Sequence, residues 1–135
     1  MDYTKYRIPF PFIDIYFIVW KPNAVSKIHD HSKNGCYMFI FKGRIREEIY
    51  DKKLNMIDIF YHSTLDTSYI NDDIGYHKII NSDQYTYSLH IYHPKNHITK
   101  YYNWLIEYLF GIFLLLKYLS LNLELYFLYL GAGGG

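Results

Sequence analysis

Between Ile8 and about His93 the chain alternates short apolar and aromatic runs with clusters of turn-forming residues. The runs have the length and composition of β-strands, and they cover residues 12–20, 36–41, 44–50 and 85–92. Residues with turn-forming chemistry separate them, at 21–23, 32–35, 42–43, 71–73 and 81–83. This spacing predicts an all-β domain folded as an antiparallel barrel or sandwich.

The pattern changes in the last quarter of the chain. A Leu- and Tyr-rich stretch runs from Trp104 to Leu130 and precedes five terminal residues that are nearly all glycine. It predicts a helix or a low-complexity segment. We therefore expect a core over residues 1–100 and an atypical tail over residues 101–135, the tail being either a helix packed on the barrel or an aberrant C-terminus from a misread coding region.

The tail is a poor candidate for a membrane anchor. Its longest uncharged run lies between Glu107 and Lys117, which is shorter than the roughly 18 residues of a spanning helix. A tilted or interfacial segment could still accommodate its charges. We expect no membrane partner.

Composition narrows the class of protein. The chain has 135 residues and a formal net charge of +1, which gives no electrostatic argument for nucleic-acid binding. A single cysteine, Cys36, excludes an internal disulfide and a cysteine-based zinc cluster. The first residues lack the apolar core of a secretory signal. We expect a cytoplasmic protein, and a monomer.

Three histidines suggest a metal site. His29 and His31 are two residues apart in a segment that resembles a β-strand, so their side chains would point to the same face. His77 follows a turn-like stretch at residues 71–75. A close histidine pair with a distant third histidine is a common arrangement for a redox metal with open coordination positions.

Several motifs in order resemble one family. They are Trp20-x-Pro22, His29-Asp30-His31 followed by Cys36, Lys42-Gly43 leading to Glu47, the stretch from Tyr69 to His77, and Ser88-Leu89-His90-Ile91-Tyr92-x-Pro94. Over roughly residues 3–94 the chain resembles the thiol dioxygenases of the cupin superfamily, and among them the cysteine dioxygenases. The resemblance implies a cupin-type, jelly-roll-like antiparallel β-barrel, followed here by a helical apolar segment.

The resemblance also implies a metal and its ligands. His29, His31 and His77 would be the three neutral ligands of a mononuclear, non-haem Fe(II). Three neutral ligands leave the double positive charge on the site, which favours a substrate bound as thiolate.

The last predicted strand would carry the catalytic side chains. Ser88, His90 and Tyr92 recur every second residue and so share one face. By resemblance they form a hydrogen-bonded row into the iron pocket, with His90 orienting the Tyr92 hydroxyl. Cys36 stands at the position of the family cysteine that is joined to the tyrosine by a thioether, and the implied crosslink is Cys36–Tyr92.

The prediction of the substrate class depends on the residues at two positions of the family pattern. Relatives that prefer 3-mercaptopropionate generally have glycine in place of the crosslinking cysteine, so Cys36 favours L-cysteine. The family motif Tyr-Thr-Arg is replaced by Tyr3-Thr4-Lys5, with Arg7 two residues further on. Lysine keeps the charge but loses the bidentate fork that binds a carboxylate. Lys5 or Arg7 would bind the substrate carboxylate beside Tyr3, unless these are solvated residues at a frayed terminus.

Other differences from the family pattern affect the activity that we expect of this chain. The chain begins almost at the Tyr-Thr-Arg position, the usual Ser-Pro-Pro becomes His93-Pro94-Lys95, and the segment past His97 does not match the closing strands of the family. His62, His93 and His97 match no family role and are interpreted as surface residues.

The sequence therefore predicts an iron-dependent cysteine dioxygenase that converts L-cysteine and O2 to L-cysteine sulfinate. Two alternatives stay open. One is an inactive or truncated cupin that binds metal without turnover. The other is a dioxygenase for another small thiol, such as 3-mercaptopropionate or cysteamine.

Overall fold

The computed structural model describes residues 2–82 and 84–132. The chain divides into two compact units, with the boundary between Tyr102 and Asn103. The described residues form ten strands and one helix: β1 Tyr3–Ile8, β2 Asp14–Trp20, β3 Ile28–His29, β4 Cys36–Lys42, β5 Arg44–Tyr50, β6 Met56–Ser63, β7 Thr67–Ile70, β8 Tyr76–Ile80, β9 Thr86–Tyr92, β10 Tyr101–Tyr102 and α1 Trp104–Ala132.

The first unit consists of two five-stranded antiparallel sheets. One has the order β1-β2-β9-β4-β7, and the other has the order β10-β3-β8-β5-β6. Strands distant in sequence are neighbours in both sheets, as where Trp20 of β2 pairs with Thr86 of β9. The predicted all-β antiparallel architecture followed by a C-terminal helix is confirmed.

The apolar core forms where inward-facing side chains of both sheets meet. Its members are less than 4% exposed, and they are Ile18, Trp20, Ala24, Met38, Ile40, Ile45 and Ile79. Side chains alternate between the two faces of a strand, which explains why β9 buries every second residue from Thr86 to Tyr92. Further along β9 its neighbours across the sheet change from the apolar Ile18 and Ile40 to the polar Asp14 and the thiol of Cys36.

The second unit contains α1. Apolar side chains are exposed around the helix, for example Leu115, Leu116, Tyr118 and Leu119, so its apolar surface is not confined to one face. Among the residues that the structure describes, no helix has both the length and the apolar character required to cross a membrane. The predicted glycine-rich end, at residues 133–135, lies outside the described residues.

Candidate metal centre

Three buried histidines converge beside the second sheet. His29 ends β3 and is directly opposite His77 of β8, and His31 follows two residues later. One ring nitrogen from each lies within 4.8 Å of the others. The sequence predicted one strand through both His29 and His31, and this was wrong, because β3 ends at His29 and His31 lies in no strand. The convergence depends on the chain path after β3, not on strand alternation.

Each ring is held through its Nδ1 atom. His29 Nδ1 lies 2.8 Å from the carbonyl oxygen of Lys27, and His77 Nδ1 lies 2.6 Å from Oε1 of Glu47. His31 Nδ1 lies 3.2 Å from Oδ1 of Asp72, which also accepts the backbone N–H of His31. Carbonyl and carboxylate oxygens only accept hydrogen bonds, so each Nδ1 carries the proton and each Nε2 presents a lone pair.

The three Nε2 atoms point toward one another. Nε2 of His29 lies 3.0 Å from Nε2 of His77, and Nε2 of His31 is buried without a hydrogen-bond partner among the described residues. Burial first, and then the neighbouring His77, lower the pKa of His31 to about 2 and hold the pKa of His29 well below its usual range. Three imidazole rings whose Nε2 atoms face each other in this way fit a metal cation, which would be bound by all three Nε2 atoms.

Strand β9 extends a polar row beside this cluster. Trp20 Nε1 donates to Ser88 Oγ at 2.9 Å, and Ser88 Oγ lies 2.9 Å from His90 Nε2. Burial, followed by the proximity of His77, lowers the pKa of His90 to about 3. His90 is therefore a neutral ring fixed at its Nε2 by a buried hydroxyl.

Cys36 and Tyr92 lie side by side at the end of that row. They are paired residues of β4 and β9 and belong to one buried cluster of side chains. Cys36 Sγ also lies 4.0 Å from Nδ1 of His90. Burial raises the pKa of Cys36 to about 12, and burial and the adjacent thiol raise the pKa of Tyr92 well above its usual value. Both groups keep their protons at neutral pH.

A cavity of about 200 Å³ lies next to Tyr92. Its walls are Lys5, Asp14, Tyr16, Tyr92, His97, Thr99 and Tyr101. Lys5 also borders a smaller space that reaches His29 and His90, so one cation faces both the cavity and the histidines. Lys5 and Arg7 belong to β1, which is fully paired with β2 and is not frayed. Arg7 instead donates to the buried Asp14 at 2.8 Å.

A family comparison agrees with this arrangement. The sequence profile of the family described as Cysteine dioxygenase type I matches residues 3–104. This chain belongs to the cysteine dioxygenase type I family. Cysteine dioxygenase type 1 of Rattus norvegicus and that of Homo sapiens are each 30% identical to it over 89 residues. The aligned region covers 60% of this chain and 44% of each relative, so the chain spans less than half the length of these curated relatives.

Solved structures show the same fold. A cupin-2 domain from Rhodospirillum rubrum matches 76% of this chain and 66% of its own with a TM-score of 0.62 at 12% identity. A sugar phosphate isomerase of the cupin superfamily from Silicibacter pomeroyi matches the same shares with a TM-score of 0.58 at 13% identity. The predicted cupin-type fold is confirmed.

The structure brings together most of the residues predicted by resemblance to the cysteine dioxygenases. His29, His31 and His77 form one cluster, Ser88, His90 and Tyr92 line one face of β9, and Cys36 contacts Tyr92. Of the substrate-binding candidates, Lys5 borders the cavity, the Tyr3 ring packs at a tilt against Trp20 with 4.7 Å between ring centroids, and Arg7 is paired with Asp14.

Glu47 ends one of the sequence motifs, but no functional role was predicted for it. It is buried on β5 and accepts from three donors: His77 Nδ1 at 2.6 Å, His62 Nε2 at 2.7 Å and Ser68 Oγ at 2.9 Å. Burial alone would raise the pKa of this carboxyl, but the hydrogen bonds from His62, His77 and Ser68 hold it well below its usual range. Glu47 shares its strand face with Ile45 and Ile49. A charged residue on an apolar strand face was the feature of the sequence from which a buried, functional carboxylate could have been predicted.

Two histidines predicted to be surface residues are not. His62 is only 12% exposed and is bound to Glu47, and His97 is partly buried, with Nε2 3.0 Å from Asp30. Both pair with buried carboxylates, which the sequence does not place near them. His93 is exposed, as predicted.

Proposed function

We propose that this chain is an iron(II)-dependent cysteine dioxygenase that converts L-cysteine and O2 to L-cysteine sulfinate. Both oxygen atoms pass to the sulfur, so the reaction balances without an external reductant. The observation that carries the proposal is the set of three Nε2 lone pairs facing each other in a chain of this family. The expected compartment is the cytosol and the expected state is a monomer.

His29, His31 and His77 would hold the metal through Nε2. When bound there, Fe(II) supplies a spin-permitted route for O2 and a positive charge that favours a substrate thiolate. Glu47, Asp72 and the Lys27 carbonyl fix the three rings by their Nδ1 atoms. Hydrogen bonds of this kind determine ring orientation and ligand basicity in metal sites.

The residues around the cavity bind and orient the substrate. The Lys5 ammonium would bind the carboxylate of cysteine, because it borders both the cavity and the histidine cluster, whereas Arg7 is occupied by Asp14. Tyr92, which keeps its proton, would donate to the substrate from the cavity wall. Trp20 and Ser88 fix the ring of His90, whose Nδ1 faces the thiol of Cys36 beside Tyr92.

We also propose that Cys36 and Tyr92 become joined by a thioether. The Cys36 S–H and one C–H ortho to the Tyr92 hydroxyl are lost, a C–S bond forms, and O2 accepts the two electrons and two protons. The pairing of Cys36 with Tyr92 across β4 and β9, within one buried cluster, supports this proposal.

Intact mass spectrometry checks the crosslink. After turnover with iron, cysteine and air, we expect a species lighter than the translated chain by two hydrogens, which is missing in Cys36→Ser. Tryptic peptides should then show residues around 36 and 92 in one linked fragment. Failure to detect this species after many turnovers would remove the crosslink from the proposal.

The reaction itself is tested by product formation. The purified chain is loaded with Fe(II), supplied with L-cysteine under air, and assayed for cysteine sulfinate against the same protein without iron. We expect iron-dependent sulfinate with one O2 consumed per product. Stoichiometric iron without product would contradict cysteine dioxygenation, and a panel containing 3-mercaptopropionate and cysteamine would then separate another thiol dioxygenase from a cupin without turnover.

A further inference from the structure

His62 is a partly buried histidine with no role in the reaction described above. It lies on β6, the edge strand of the second sheet, and its side chain is 12% exposed. Nε2 of His62 lies 2.7 Å from Oε2 of Glu47. Since a carboxylate oxygen only accepts, His62 is the donor.

Glu47 divides its two oxygens between the metal cluster and two donors outside that cluster. Oε1 accepts from the metal-ligand candidate His77, and Oε2 accepts from His62 and Ser68. A carboxylate is planar and rigid, so donors that fix one oxygen also fix the direction of the other. The hydrogen bonds of His62 and Ser68 therefore determine where Oε1 meets the His77 ring.

The strand register brings the side chains of His62, Glu47 and His77 next to one another, so that their hydrogen bonds form a continuous path. His62 is opposite Ile45, two residues before Glu47 on the same face of β5, and His77 is opposite Ile49, two residues after it. Diagonal neighbours at this spacing are within reach of long side chains. His62, Glu47 and His77 thus connect three adjacent strands, β6, β5 and β8.

We propose that His62 is a positioning residue for the metal ligand His77 and acts through the carboxylate of Glu47. The inference rests on the proposed metal centre. Without the His62 N–H, Oε2 keeps only the Ser68 hydroxyl, the carboxylate gains freedom to rotate, and the Nδ1–H···Oε1 bond of His77 loses its fixed direction. His77 then presents Nε2 to the metal less accurately, so metal affinity falls.

Cobalt titration tests this role on the full chain. Co²⁺ gives d–d absorption that reports metal binding directly, without turnover. We expect His62→Leu to bind Co²⁺ about tenfold more weakly than the unchanged protein, at the lower end of outer-shell effects in metal sites. We expect His62→Gln to restore most of the affinity, because its side-chain N–H reaches the same carboxylate oxygen. His93→Leu, which removes an exposed histidine bonded to Asn34, serves as the matched control and should bind as the unchanged protein does.

A double-mutant cycle separates positioning from a general loss of stability. In a Glu47→Gln background, His62→Leu should cause no further loss of Co²⁺ affinity, because the path to His77 is already altered. A tenfold loss that persists in that background, an unchanged affinity in His62→Leu, or no rescue by glutamine would overturn the proposal. If His62→Leu does not fold, Ser68→Ala removes the other donor to Oε2 and should weaken binding several-fold, and unchanged binding would again overturn it.

The same titration distinguishes the two proposals. If the unchanged protein does not bind one Co²⁺ per chain, or if His77→Ala binds it equally well, the proposed metal centre fails. If the unchanged protein binds one Co²⁺ through His77 and His62→Leu binds it equally tightly, only the role of His62 fails.

Discussion

His77→Ala is expected to remove nearly all bound iron and, with it, oxidation of cysteine. Its Nε2 is one of the three that meet in the cluster, and its loss leaves only His29 and His31 there and also removes the donor to Oε1 of the buried Glu47. Outer-shell changes alone cost about 10- to 100-fold in metal affinity, so losing a direct ligand should exceed about 100-fold. Iron per chain, measured by elemental analysis after gel filtration, checks the result.

A second histidine provides the comparison for that experiment. His93 is exposed and away from the cluster, so His93→Ala should retain iron and sulfinate formation. Circular dichroism would show whether both variants keep the sheet content of the unchanged protein. Normal iron content in a folded His77→Ala protein would refute the ligand assignment.

Lys5→Met is expected to lower kcat/KM for L-cysteine by about 10- to 100-fold, because a hydrogen bond to a charged group is worth about 1.5–3 kcal/mol. Lys5 is the cation that borders both the cavity and the histidine cluster. The loss should appear mainly in KM, because the thiol that reacts is unchanged. Steady-state O2 consumption at varied cysteine concentration measures it.

Cysteamine is the matched substrate for Lys5, because it keeps the thiol and the amine of cysteine but lacks the carboxylate. Its kcat/KM, whatever its size, should be the same in Lys5→Met and in the unchanged protein. An equal loss with both thiols would indicate damage to the site instead of a lost carboxylate contact. A larger loss with cysteine in Arg7→Met than in Lys5→Met would assign the carboxylate to Arg7, against its pairing with Asp14.

The sequence predicted the strands with long apolar or aromatic runs and missed the two long strands at sheet edges. Strand β9 matches its predicted run, and its burial alternates from Thr86 to Tyr92. Strands β1 and β6 lie at sheet edges and are mostly exposed, so they lack the alternation that marks a half-buried strand. Their pairing partners, not their own composition, place them in the sheets.

The candidate site was predictable where residue types carry the chemistry. Histidines two residues apart with a third elsewhere indicate metal binding, and the structure brings all three together. The groups that fix their rings were not predictable, because a carbonyl oxygen at Lys27 or a carboxylate at Asp72 becomes a partner only through the tertiary fold. For the same reason, the position of His62 beside Glu47 could not be predicted from residue types alone.

The position of β10 determines when the strand that carries His29 gains both of its neighbours during synthesis. His29 is flanked by His77 of β8 on one side and by Tyr101 of β10 on the other, and Asp30 accepts the backbone N–H of Lys100. A ribosome releases these partners in chain order, so about seventy further residues follow His29 before β3 has both neighbouring strands. The second sheet is therefore completed late in synthesis, after all three histidines of the cluster have been made.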